Sequence, residues 1–294
     1  MKTKKCSKQQ KSVRKKCNPK NEKEAGIHGL YGAKGSDFVD NGKDDPHKNK
    51  GLYNFLSRMK VFRKNLQENV LFWTTYSIAI IILSIKYGEQ SSILKNIFMG
   101  FVSALLGMST GYMAHYLSHK ISFKKLYNDS VDPDYFSENT HTKIKRVIDY
   151  TLDFHDIIHH NSSINKYWYN ILMEAIQNIL LEGGLWAIAS IILGLGIKIF
   201  DETYKLNVVI IFLWALLYTT VHLINYRLVH PNSHVIHHMD YYKNLSLTDM
   251  FDLIFDTKYD KKNIQNLNHF IINVVIITTL LYFGEDICQI FTNF

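Results

Sequence analysis

Four long apolar runs interrupt an otherwise polar chain, and their spacing sets the expected architecture. Val70–Ile85 (VLFWTTYSIAIIILSI) carries no charge, and neither does Asn96–Ala114 (NIFMGFVSALLGMSTGYMA) after a short polar turn. Further runs cover about 183–200 and 206–226, and a shorter one covers 269–283. At 1.5 Å per helical residue, each of the first four is long enough to cross roughly 30 Å of hydrocarbon. Their Gly, Ala, Ser and Thr suit close helix packing in lipid. The expectation is an all-α integral membrane bundle of about four transmembrane helices.

Residues 1–50 are rich in Lys, Gly, Asn and Asp and poor in large apolar side chains, which predicts disorder. Residues 51–68 (GLYNFLSRMKVFRKNLQE) read as a basic, amphipathic lead-in, either lying on an anionic membrane surface or solvated. The expected division is thus a tail and lead-in over 1–68 and a membrane domain over 69–294. The first 68 residues hold 18 Lys and Arg against 7 acidic residues, so the net charge of +8 belongs to the tail. That distribution is weak support for a nucleic-acid partner, and none is expected. The three cysteines, Cys6, Cys17 and Cys288, have neither disulfide-framework numbers nor zinc-site spacing.

Histidine is the unusual component. Nine of the fourteen fall in four groups: His115 and His119; His155, His159 and His160; His222; and His234, His237 and His238. Two helical crossings separate the first groups from the tail, and two more separate the second from the third. Parity therefore brings every group to the face that carries the tail, and the Lys-rich stretch after His119 places that face in the cytosol. Spacings of three and four put imidazoles on one helical face. Nine ring nitrogens exceed the four ligands of one tetrahedral ion and suit two ions, and imidazole is compatible with iron, zinc, copper or nickel. The His-Glu-x-x-His helix of zinc proteases and the Glu-x-x-His pairs of soluble carboxylate-bridged di-iron bundles are both missing from these groups. Ligands spread along a conduction path would instead indicate a metal or haem transport protein.

The order of the groups, with apolar spans between them, resembles the fatty acid hydroxylase/sterol desaturase superfamily of integral-membrane di-iron oxygenases. The resemblance covers about residues 100–258. It is carried most specifically by Val221-His222-Leu-Ile-Asn225-Tyr226, by His234-x-x-His237-His238, and by Phe251-Asp252-Leu-Ile-Phe255-Asp256-Thr257. The chain departs from the pattern where Asn-Tyr-Gly reads Asn244-Leu-Ser, where Asp256 replaces a glycine, and where one extra residue separates the histidines of the second group. A longer gap between His119 and His155 implies an insertion around 127–142.

The resemblance implies two iron ions held by the nine histidines, with O2 as co-substrate and a membrane lipid (fatty acyl, sphingoid or sterol) as substrate. It implies C–H hydroxylation, or desaturation on the same site. It also implies an external electron donor of the cytochrome b5/reductase type, because the chain has no haem-binding, flavin or nicotinamide motif. An endomembrane resembling the endoplasmic reticulum is the expected location, with the histidines on its cytosolic face. Asp156, Asn225 and Asp252 are candidates to support the ligands, and His230 is a weaker candidate ligand. Glu174, Asn178 and Glu182 recur every fourth residue and read either as a polar lining of the site or, with slightly more weight, as the wet face of a surface helix.

Overall fold

The computed structural model describes residues 52–132, 134–161, 167–199 and 202–292. The expected disordered tail lies outside them. The fold is mostly helical. Helix α1 (Leu52–Glu68) runs through Asn69 into α2 (Val70–Tyr87), and α3 (Ile93–Ser118) returns beside it. Ser92 caps α3 by accepting from Lys95 N, at 3.3 Å. Two amphipathic helices, α4 (Phe123–Ser130) and α5 (Glu138–Thr151), follow and overlap the 127–142 stretch. Buried Asp153 anchors the start of α4, accepting from Ser122 Oγ, Phe123 N and Lys124 N at 2.8–3.0 Å.

A π-helical turn (His155–His159) precedes α6 (Trp168–Ile179). A second π turn (Leu180–Gly184) joins α6 to α7 (Leu185–Leu193). After a short hairpin, α8 (Val208–Thr220) continues through a third π turn (Val221–Asn225) into the short α9 (Tyr226–Val229). The chain closes with α10 (Asn232–Met239), α11 (Met250–Phe255) and α12 (Ile271–Thr292).

Among the described residues, four helices are long and apolar enough to cross a membrane: Val70–Tyr87, Ile93–Ser118, Trp168–Leu193 and Val208–Val229. The segment Asn268–Gly284 is a shorter apolar helix. Between the spans, Phe72, Tyr76, Leu83, Met108, Trp214 and Leu217 form part of one buried cluster. The outer surface is just as apolar, with Ile78, Ile82, Leu105, Ile188, Ile191 and Ile192 exposed. A water-soluble bundle would place polar residues there. Gly107 lets α3 approach α8, since a Cβ at that position would lie 3.3 Å from the Trp214 ring.

The third span differs from the expectation. It begins at Trp168, well before 183, so Glu174, Asn178 and Glu182 are not the wet face of a surface helix. All three are buried. Gly183, with φ +146°, bends this helix at the second π turn without ending it. The span stops at Leu193, where Gly194 adopts φ +59°, and the expected apolar run to 200 becomes an extended hairpin. Its strands, β1 (Gly196–Ile199) and β2 (Glu202–Lys205), pair antiparallel with Gly196 opposite Lys205. Alternation of Ile197, Lys198 and Ile199 is a strand pattern, which the average apolar character of the run conceals.

Candidate metal centre

The four histidine groups meet at one end of the membrane-length helices. His115 occupies the last turn of α3, and His119 caps that helix. The first π turn supplies His155 and His159, with His160 immediately after it. The third π turn supplies His222, and α10 supplies His234, His237 and His238. Their available ring nitrogens form three groups, each with all its nitrogens within 4.8 Å of one another: His115, His119, His155 and His237; His159, His222 and His234; and His159, His160 and His238. His159 joins the last two groups, so the nine imidazoles divide into a set of four and a set of five.

The first π turn explains how the longer second group reaches the same geometry as the fourth. In α10, His234, His237 and His238 stand at i, i+3 and i+4, bracketing one face of an α turn. A π turn holds one residue more, closing its hydrogen bond at i+5 rather than i+4. His160 N donates to His155 O at 3.3 Å, the bond of that wider turn. His155, His159 and His160, at i, i+4 and i+5, therefore bracket one face just as the α10 trio does.

Hydrogen bonding fixes the ring tautomers. His115 Nδ1 donates to Leu245 O at 2.8 Å, and His237 Nδ1 donates to Lys243 O at 3.0 Å. A carbonyl can only accept, so both Nδ1 atoms carry hydrogen. In the neutral rings, both Nε2 atoms then present lone pairs, and these face each other at 3.0 Å. Close Nε2 approaches continue within that set from His119 to His237 at 3.3 Å and from His119 to His155 at 3.1 Å, while His155 and His160 approach at 3.3 Å between the two sets. In the other set, His234 and His238 approach through Nε2 at 3.1 Å, and the buried His222 Nε2 has no protein hydrogen-bond partner among the described residues.

Opposed lone pairs repel unless a cation lies between them. Two nitrogens each about 2.1 Å from one ion are about 3.0 Å apart at right angles and about 3.4 Å apart at the tetrahedral angle. The observed separations fall within that interval, so the donor set fits bound metal. Burial, followed by the neighbouring imidazoles, holds His155, His160, His234, His237 and His238 well below the ordinary histidine range. They are neutral near pH 7, as metal ligation requires.

Glu174 is the principal residue that the sequence left without a specific role. Its Oε1 accepts from His222 Nδ1 at 3.0 Å and from His159 Nδ1 at 3.1 Å, fixing both rings with Nε2 turned inward. Arg227 Nη2 lies 3.6 Å from the other carboxylate oxygen. The Glu174–Asn178–Glu182 spacing was the available signal, but nothing local pairs Glu174 with a histidine 48 positions away. Tyr241 is a second addition. Its ring stacks on His119 at 5.3 Å and lies 4.5 Å from His160, so it covers one histidine of each set.

The remaining candidates have varied positions. Asp156 Oδ1 lies 3.4 Å from His119 Nδ1. Asp252 touches no imidazole and instead accepts from Leu245 N and Ser246 N at 2.8 Å and from Thr257 Oγ1 at 2.6 Å. It acts on His115 at one remove, by holding the segment whose Leu245 carbonyl takes the ring N–H. Asn225 Nδ2 donates to His269 O at 2.7 Å, a helix-to-helix tie. His230 ends α9 with φ +50° and belongs to none of the three nitrogen groups. The sharp turn separates it from the histidines on either side.

No family model matches this chain, and no curated protein or solved structure is detectably similar to it.

Proposed function

We propose that this chain is a membrane-embedded, O2-dependent di-iron oxidase that hydroxylates an unactivated C–H bond of a fatty acyl, sphingoid or sterol lipid. One observation carries the reading: nine imidazoles, divided four and five, bring ring nitrogens within 4.8 Å of one another at a single end of four membrane-length helices. The resemblance of the ordered histidine groups to the fatty acid hydroxylase/sterol desaturase superfamily supports iron over the other metals that imidazole accepts. When bound, an iron pair would supply reduction of O2 by two electrons and two protons, with one oxygen atom inserted into the lipid C–H bond and the other leaving as water.

The protein's own contribution is ligation, orientation and exclusion of water. Glu174 and the Leu245 and Lys243 carbonyls fix ring direction, an arrangement that raises ligand basicity. Tyr241 covers His119 and His160. The apolar outer faces of the spans give a lipid access without passage through water. Electrons come from a separate donor of the cytochrome b5/reductase type, the basic tail supports a cytosolic histidine end, and the resemblance supports an endomembrane like the endoplasmic reticulum. Collection of the ligands at one end of the helices, with none of the three groups spread along the bilayer depth, favours a reaction centre over a transport path.

The test combines metal analysis with lipid profiling. The purified full chain should hold about two irons and consume O2 on reduction. Cells expressing it should accumulate a hydroxylated lipid that cells expressing His159→Ala lack. A new unsaturated lipid would change the reaction to desaturation, and identical lipid profiles would remove the oxidase reading.

A further inference from the structure

A second site lies between α1 and α11, away from the histidines. The two helices flank an open cavity of about 160 Å³ lined by Arg58, Met59, Phe62, Met250, Leu253 and Ile254. Apart from Arg58, its wall is hydrocarbon and thioether. Arg58 Nη1 donates to Ile254 O at 2.9 Å, while its Nε is buried without a hydrogen-bond partner among the described residues. A guanidinium has five N–H donors, so this one holds α11 with donors to spare. Around the cavity, Leu56, Met59, Ile254 and Phe255 are exposed, and α1 adds Lys60, Arg63 and Lys64 against a single acid, Glu68.

The site therefore calls for an aliphatic occupant with a negative end. The 1–51 segment of this chain has the wrong sign, because its lysines and arginines outnumber its acidic residues. We infer that the α1–α11 cavity binds one anionic phospholipid, with an acyl chain against Phe62 and Leu253 and the phosphate against Arg58. Position agrees with this ligand, since α1 leads directly into the first membrane-length helix and lies where headgroups would meet the chain. Basic side chains at that level attract anionic lipid. The site does not depend on the metal reading.

Native mass spectrometry of the full chain in detergent, titrated with phosphatidylserine or phosphatidylcholine, tests the assignment. The wild type should retain phosphatidylserine about fivefold better, and Arg58→Gln should abolish that preference. Leu253→Trp, which fills the cavity, should weaken retention of both lipids. Lys205→Gln should change nothing, because Lys205 pairs with Glu89 in the hairpin at the other end of the membrane-length helices. Inorganic phosphate should not displace the lipid. Equal retention of the two lipids by the wild type, an unchanged preference in Arg58→Gln, or displacement by phosphate alone would each overturn the proposal.

Discussion

His115 and His237 point bare Nε2 atoms at each other across 3.0 Å, each with its Nδ1–H committed to a main-chain carbonyl. Neutral rings held this way cannot hydrogen-bond to one another, so a cation is the natural occupant of the gap. His237→Ala should reduce bound metal by about half while leaving the full chain in the membrane fraction, because the second set of imidazoles is untouched. Elemental analysis of membrane-extracted protein makes the comparison. Full metal content in the variant would count against direct ligation by His237.

Glu174 orients His159 and His222 from one oxygen. Removing such support from metal-bound histidines typically weakens affinity roughly 10–100-fold. Glu174→Ala should therefore release metal to a chelator at much lower chelator concentration than the wild type. Glu174→Gln, which keeps an acceptor oxygen, should fall between the two. Chelator titration of the loaded protein reads all three, and equal retention would reduce Glu174 to a packing role.

Burial raises the Asp252 carboxyl to about 6. The folded chain therefore holds this proton at pH values where the unfolded chain, with an ordinary aspartate near 3.9, has released it. More protons on the folded state mean that stability falls as pH rises from about 4 to about 6, by roughly 2–3 kcal/mol from this residue. Asp252→Asn cannot titrate, so thermal melting in detergent should lose that part of the pH slope. The variant should also melt lower throughout, since an amide N–H₂ replaces one oxygen facing the Leu245 and Ser246 N–H groups. An unchanged slope would show that Asp252 is already ionised across this window.

Gly183 combines φ +146° with close packing, since a Cβ there would lie 2.9 Å from Ile211 Cγ2 and 3.3 Å from Ile211 O. Gly183→Ala should cost roughly 1–3 kcal/mol or more. Gly194→Ala is the control: its φ is +59° and its Cβ would meet nothing within 4 Å, so the cost should be only about 1 kcal/mol. Thermal stability of the two variants in one detergent measures the difference, and equal losses would locate the strain elsewhere.

The first, second and fourth spans were legible from uncharged length alone, within a few residues at each end. The third was not, because Glu174, Asn178 and Glu182 lower its apparent apolarity although all three face inward. Periodicity reports where polar groups recur, but it does not distinguish water from buried partners as the cause. The convergence of the histidine groups followed from counting crossings. The bonds that set ring direction did not, since Leu245, Lys243 and Glu174 meet their histidines through tertiary folding, and Leu245 offers only a carbonyl that every residue possesses. Asp252 shows the same limit: its place beside the site was readable, but its bonding to main-chain N–H rather than to an imidazole was not.

The widened turn at His155–His159 has a consequence for how such a site can change over time. Because a π turn absorbs an added residue without rotating the flanking side chains away from their target, the segment can gain or lose one position and still offer three imidazoles in the same direction. Deleting Ile157 should tighten the turn toward α and leave the trio aligned. Spacing along the chain is then free to drift while the ligand shell stays put.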